Sequence, residues 1–335
     1  MIKDAIISLS KKQNLSYSQA HEAMNQIMTG QASDVQMSAY LTALSLKGET
    51  IDEITASAAC MRSHCVRLLH DIPALEIVGT GGDHANTFNI STTAAIIVAA
   101  CDVAVAKHGN RSASSKCGAA DVLEALGVNI MLSPEKSANL LKSINICFLF
   151  AQNYHIAMRY VAPIRRELSI RTVFNILGPL TNPAGATMQL LGVFDKSLVE
   201  PLAHVLSNLG VSNALVVHGA EGLDEISLQN ETHVCEVRGN QVKSYIITPE
   251  NFGFKRCNLK DLHGGDPAEN AQILQNIVNG EKSHKRNAAV LNAAAALFVA
   301  GKATSIAHGV SLANHAIDSG KAAAKLQEFI KMSNS

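Results

Sequence analysis

The chain has 335 residues, 47% hydrophobic and 17% charged, which suits a large core in roughly two domains and excludes wholesale disorder. Lys plus Arg number 28 and Asp plus Glu number 28, so the net charge is zero; a general nucleic-acid coat protein or a polybasic membrane binder is excluded. An anionic ligand must therefore be held by a local site. The unbroken apolar runs Ala94 to Cys101 and Ala293 to Ala300 fall far short of the roughly 18 residues of a membrane span. Met1-Ile2-Lys3-Asp4 carries an acid early and starts no apolar stretch, so no signal peptide is expected. Cys60, Cys65, Cys101, Cys117, Cys147, Cys235 and Cys257 form an odd set without metal-ligand spacing, which predicts reduced thiols and a cytoplasmic protein.

In chain order, the first seventy residues predict short amphipathic helices. Ser16 with Gln19 and Thr50 with Glu53 have the spacing that satisfies free N–H groups at a helix start, and Gly30 and Gly48 sit where helices would stop. Ile51, Ile54, Ala58, Met61, Cys65 and Leu68 step by three or four, one helical face. From Leu75 the pattern becomes strand, glycine loop, helix. Strands are expected at Leu75 to Val78, Val103 to Ala106, Ile146 to Phe150, Gln189 to Phe194 and Ala214 to His218, with helices at Thr92 to Cys101, Asp121 to Leu126 and Ser197 to Leu209. Apolar strands alternating with helices imply a mostly parallel sheet covered on both faces, hence an α/β class with a small all-helical N-terminal domain. Thr232 to Arg238 and Val242 to Thr248, joined across Gly239-Asn240, read as an antiparallel hairpin, and the chain from Pro267 onward as helical.

Three loops, each after or at the end of a predicted strand, could carry chemistry. In Gly79-Thr80-Gly81-Gly82-Asp83, followed by Asn86 to Thr92, glycines permit close backbone approach, and Ser91 and Thr92 stand near a helix N-terminus that favours phosphate. The spacing is neither the dinucleotide fingerprint nor a Walker A loop. Lys107 to Lys116 concentrates three fixed cations and three serines, with no acid before Asp121, and reads as a phosphate cradle. In Gly219 to Glu225, adjacent Asp224 and Glu225 in a glycine loop can converge on a hard cation such as Mg²⁺. By contrast, Gly264-Gly265-Asp266 precedes Pro267 and Glu269 with capping spacing and reads as a helix cap. His155 reads as a packed, hydrogen-bonded histidine, Arg165 and Arg166 as surface charges on an amphipathic stretch, and the basic run Lys282 to Arg286 as a solvated helix start.

With these motifs in view, together with Ala162 to Leu168, Phe174 to Pro183 and Gly222 to Glu225, the sequence resembles the anthranilate phosphoribosyltransferase family over nearly its whole length. The resemblance implies a helical domain over 1–70, completed by helices from about 160–185, an α/β domain over 71–335, and a homodimer formed through the helical domains. It implies transfer of the phosphoribosyl group of 5-phosphoribosyl-1-diphosphate to anthranilate, the second step of tryptophan synthesis from chorismate. Gly79, Gly82, Asp83, Thr87, Asn89, Ile90, Ser91, Thr92, Lys107, His108, Gly109, Asn110, Arg111, Ser112, Ala113, Ser114, Ser115 and Ala119 would hold the phosphosugar. Gly79, Asn110 and Arg165 would contact anthranilate, and Ser91, Asp224 and Glu225 would hold two Mg²⁺ per subunit. Cys117 and Ala119 stand where many members carry serine, His84 where glycine or a small residue is frequent, and Ile156 where proline is frequent. No residue is expected to act as an acid or base. Two other readings compete: a pyrimidine nucleoside phosphorylase-like enzyme, and a non-catalytic nucleic-acid-binding paralogue, whose basic groove and lost metal acids this chain does not show.

Overall fold

The computed structural model describes every residue except Ala113, Ser114 and Asn240. Four helices open the chain: α1 (Ile2–Ser10), α2 (Tyr17–Met28), α3 (Asp34–Lys47) and α4 (Ile51–Ser63). Ser16, Ser33 and Thr50 each accept from the backbone of the third helical residue, whose Gln or Glu reaches back, so the two expected capping boxes form and a third joins them. The apolar stripe of α4 stops short of its predicted length. The helix ends at Ser63, and Cys65 and Leu68 fall in a linker. There the Val66 N–H donates to Tyr154 O (2.8 Å) and the Leu68 N–H to Pro183 O (3.1 Å), bonds a continuing helix would forbid.

Among the described residues, seven strands form one sheet: β1 (Leu75–Gly79), β2 (Val105–Gly109), β3 (Ile146–Phe150), β4 (Met188–Gly192), β5 (Asn213–Gly219), β6 (Thr232–Arg238) and β7 (Gln241–Ile247). Their spatial order is β3-β2-β1-β4-β5-β6-β7; the first five are parallel, and β6 and β7 are antiparallel. The expected hairpin is therefore present, with Asn240 of its turn outside the described residues. Helix α5 (Ile90–Ala99) links β1 to β2, and α6 (Ala119–Ala125) and α7 (Pro134–Ile144) link β2 to β3. Between β3 and β4 run α8 (Ala151–Tyr154), α9 (Ala162–Leu168) and α10 (Phe174–Leu180), and α11 (Val199–Asn208) precedes β5. The chain ends in α12 (Pro267–Val278), α13 (His284–Val299), α14 (Ile306–Asp318) and α15 (Lys321–Ser333).

Alternate residues of β4 and β5 enter different cores, as the two-residue period of a strand requires. Leu190, Leu215 and Val217 pack with α5 and the Ala-rich α13, while Leu191, Val193 and Val216 pack with α11 and the helical lobe. That second core also takes in Val161, Ile164, Phe174 and Leu177, so the segment around α9 and α10 completes the packing of α1 to α4.

Two expectations change. Strand β2 begins at Val105 and continues through Lys107 and His108, which composition had assigned to a loop. And the run Lys282 to Arg286 is not uniformly solvated: the Arg286 side chain is 2% exposed. Its guanidinium donates to Gly280 O (3.2 Å), Asn314 Oδ1 (2.8 Å) and Asp318 Oδ1 (2.7 Å). Three acceptors compensate its lost hydration, which local sequence could not reveal because two of them lie about thirty residues downstream, on α14.

Candidate active site

Strand β1 lies between β2 and β4, so the connections leaving β1 and β4 turn to opposite sides of the sheet. A parallel sheet opens a crevice at such a point, beyond the C-terminal strand ends. Gly79 and Gly192 are register partners at that edge. Asp224 packs directly over both: a Cβ on Gly79 would strike its carboxylate, and one on Gly192 its backbone carbonyl. The two glycines thus let the acidic loop settle onto the strand ends. The Gly81 N–H donates to Asp224 Oδ2 (2.7 Å), and the Ser91 N–H, in the first turn of α5, donates to Glu225 Oε1 (3.2 Å). The first and third loops of the sequence are therefore one assembly.

The carboxylates are crowded. Burial first, and then repulsion from Asp83, raise the Asp224 carboxyl well above its ordinary range, to about 7. Burial and repulsion from Asp224 also raise Glu225 well above its ordinary range, with the Lys107 ammonium pulling the other way. A site that concentrates negative charge it cannot neutralise internally suits a hard divalent cation. Asp224, Glu225 and the Ser91 hydroxyl supply only oxygen donors, the set Mg²⁺ takes alongside phosphate and water.

Beneath this pair the sheet contains a buried polar wedge. The β1–β2 ladder has the single register pair Leu75↔Val105, whereas the other parallel pairs each run for five residues. Side chains take over beyond it. The His108 N–H donates to both Glu76 carboxylate oxygens (3.1 and 3.2 Å), and the Lys107 ammonium donates to Ile77 O (2.7 Å) and Ser91 Oγ (3.3 Å). Asn182 Nδ2 donates to Glu76 and to Ala106 O (2.8 Å). Burial raises Glu76 and lowers Lys107, while their mutual attraction opposes both shifts. Lys107 is thus a buried cation under the acidic pair rather than a loop residue.

The rest of the second loop lies at the mouth. Gly109 ends β2, and Asn110 is exposed, its Oδ1 accepting from the Arg111 N–H (2.8 Å). The Arg111 guanidinium turns to Asp121 (3.0 Å) and Glu124 (2.8 Å), and Asp121 also accepts from the Ser112 and Gly118 N–H groups, each at 2.9 Å. Ser112 Oγ meets Ser115, Lys116 is exposed, and Ala119 opens α6. The three cations of this loop therefore point to different surroundings and do not converge. Ala113 and Ser114 lie outside the described residues.

In the first loop, Gly81 and Gly82 share positive φ with two residues that tolerate it less, His84 (56°) and Asn86 (53°). The loop is pinned by neighbours that sequence reading missed. Arg171 stacks over the Phe194 ring (3.9 Å) and donates to Gly82 O (2.7 Å), while its own carbonyl accepts from Ser45 of α3 (2.9 Å). Thr87 bridges His263, and the Phe88 N–H donates to Leu262 O (3.0 Å). Ile90 and Thr92 are buried in the start of α5. Asn89 Nδ2 donates to Cys117 O (3.1 Å) and ties the two loops together. For Arg171 no local pattern gives a signal; for Glu76 a lone acid inside an apolar parallel strand was the available clue.

Arg165, on α9, lies over the Phe174 ring at 5.6 Å and is half-buried, and burial lowers its pKa. Among the described residues its guanidinium has no acidic partner and makes no hydrogen bond, including none to Gly79 or Asn110. His108 and His155 are buried with ring centroids 5.0 Å apart, and among the described residues their Nε2 atoms have no hydrogen-bond partner. Burial pushes them down to about 3 and about 4, so both are neutral at pH 7. A separate groove of about 1100 Å³, lined by residues including Ile51, His204, His233 and Tyr245, holds none of these groups.

Fold and site together define an enzyme of the glycosyl-transfer class. Residues 71–323 match the a/b domain of the glycosyl transferase family, and residues 3–65 match its helical bundle domain. Anthranilate phosphoribosyltransferase of Methanobrevibacter smithii is 64% identical over 335 residues, covering 100% of both chains, and that of Lachnoclostridium phytofermentans is 58% identical over 334 residues, covering 100% of this chain and 99% of the relative. The crystal structure of the Thermus thermophilus enzyme superposes with a TM-score of 0.94 at 44% identity, covering 99% of this chain and 100% of that one. The Saccharomyces cerevisiae enzyme in complex with PRPP and Mg superposes at 0.92 with 28% identity, covering 99% and 98%. The chain belongs to the anthranilate phosphoribosyltransferase family.

Proposed function

We propose that the chain transfers the phosphoribosyl group of 5-phosphoribosyl-1-diphosphate to the amine of anthranilate. The products are N-(5-phosphoribosyl)anthranilate and diphosphate, the second step of tryptophan synthesis from chorismate. The observation that carries this reading is the assembly at the sheet's switch point: two repelling carboxylates held over a glycine loop, with a buried lysine beneath. Breaking the bond from ribose C1 to diphosphate develops positive charge on the sugar and negative charge on the leaving group. Asp224, Glu225 and Ser91 would hold Mg²⁺, two ions in the full complex, and the metal would neutralise the leaving group when bound. The backbone of Gly79 to Asp83, the first turn of α5 and the loop after β2 would seat the phosphosugar.

The aryl amine of anthranilate is neutral at pH 7, so before attack it needs placement rather than deprotonation, and it sheds one proton to diphosphate or solvent as the new C–N bond forms. That agrees with histidines too weakly basic to remove a proton effectively. Arg165 would anchor the substrate carboxylate with its planar fork, and Gly79 and Asn110 would flank the ring. We further propose a homodimer in the cytoplasm; seven free thiols accord with a reducing compartment. Diphosphate release, measured with the phosphosugar and Mg²⁺ plus anthranilate, thymidine or uridine, tests the reading. Release is expected with anthranilate alone; phosphate-dependent cleavage of a nucleoside without it would replace the reading.

A further inference from the structure

The segment Gly264-Gly265-Asp266 does cap a helix: Asp266 accepts from the Glu269 N–H and the two form a capping box. The same turn carries a second device. Asn270 in α12 is 2% exposed, an unfavourable place for a side chain that competes with helical hydrogen bonds unless it is fully partnered. Its Oδ1 accepts from the Gly265 N–H (2.8 Å), and its Nδ2 donates to Asn89 Oδ1 (2.9 Å). Asn89 Nδ2 in turn donates to Cys117 O (3.1 Å). Both ends of this relay are backbone groups that cannot exchange roles, a donor at Gly265 and an acceptor at Cys117. Only one orientation of each amide therefore satisfies all three bonds. The relay joins α12, the loop entering α5 and the loop leaving β2.

We propose that Asn270 is a positioning residue for the phosphosugar: it fixes the amide of Asn89 and thereby the spacing of the two loops that flank the ligand. This inference rests on the reading of Asn89 as a phosphosugar-binding residue. Asn270 itself faces the relay. Cys117 fits the arrangement because it contributes a carbonyl, which serine at that position would supply equally.

Asn270→Asp tests it. The carboxylate preserves volume and still accepts from Gly265, yet donates nothing, so Asn89 must turn its NH₂ inward and set its oxygen against Cys117 O. The expected result is a rise of about three- to tenfold in the phosphosugar KM, the worth of one buried hydrogen bond. The anthranilate KM should stay within twofold, and hydrogen exchange at Cys117 and Gly118 should quicken. The double variant Asn89→Ala/Asn270→Ala should be no worse than Asn89→Ala alone, because Asn270 acts through Asn89. Additive losses, or a lowered melting temperature with both KM values unchanged, would reduce Asn270 to a structural role and overturn the proposal. An unchanged phosphosugar KM in Asn89→Ala would instead overturn the binding role of Asn89, and the positioning role with it. Should Asn270→Asp give no soluble protein, Asn270→Ser is judged by the same criteria.

Discussion

Removing the guanidinium of Arg165 separates stability from function. Arg165 is half-buried, lies over the Phe174 ring and is bonded to no acceptor among the described residues, so only that ring offsets its desolvation cost. Arg165→Ala gives up a cation–π contact worth about 0.5–1 kcal/mol and relieves part of that cost. The net change in unfolding free energy should stay within about 1 kcal/mol. Binding should behave oppositely under the proposed role of Arg165: a substrate carboxylate that has shed water onto this group would lose its counter-charge, a loss of about 2–5 kcal/mol. At about 1.4 kcal/mol per decade, that weakens anthranilate roughly thirty- to several-thousand-fold. Arg165→Lys should recover only part, since it restores charge without the fork. Steady-state kinetics with each substrate varied in turn, beside thermal melts, reads both quantities. Michaelis constants within threefold of wild type for both substrates, with turnover intact, would refute the carboxylate anchor.

Asp224→Asn with Glu225→Gln should fold as well as wild type or better near neutral pH, because the swaps remove a repelling pair; turnover should collapse, most severely at limiting Mg²⁺. Unchanged turnover at low metal would remove these acids from the mechanism. Asp224, at about 7, and Glu225 retain protons when folded that the unfolded chain has released near pH 4. The pair's contribution to stability is therefore full below about pH 4 and falls as pH rises through about 7. Metal binding must expel those protons, so Mg²⁺ affinity should increase with pH across that window; calorimetric titration in buffers of different ionisation enthalpy would reveal the release, and pH-independent affinity would count against it. Arg286→Met, far from the chemistry, should cost about 1–3 kcal/mol in chemical denaturation, reduced by the half-exposed position of Asp318, and leave both Michaelis constants unchanged.

The glycine loop after β1 and the acid pair after β5 were legible in sequence because turn chemistry and charge are local. The strand pattern was legible too, and Ile146 to Phe150 matches β3 residue for residue. What sequence hid was non-local. Lys107 and His108 looked like loop residues because a parallel strand is expected to be apolar, yet Ile77 O and Ser91 Oγ take the Lys107 ammonium and Glu76 takes the His108 N–H, so β2 continues through both. Arg111 looked like a ligand cation, and its pairing with Asp121 and Glu124 depends on where α6 docks. The relay through Asn270 spans 181 residues from Asn89, beyond any periodicity.

The fluorescence of anthranilate tests the phosphoribosyl transfer most directly. Incubated with the purified chain, 5-phosphoribosyl-1-diphosphate and Mg²⁺, its emission should decay with time as the amine is glycosylated. Omitting the phosphosugar, or chelating the metal, should abolish the decay, and Asp224→Asn/Glu225→Gln should suppress it. Steady emission with every component present, from a chain shown to be folded, would contradict the assignment of the switch-point site to phosphoribosyl transfer.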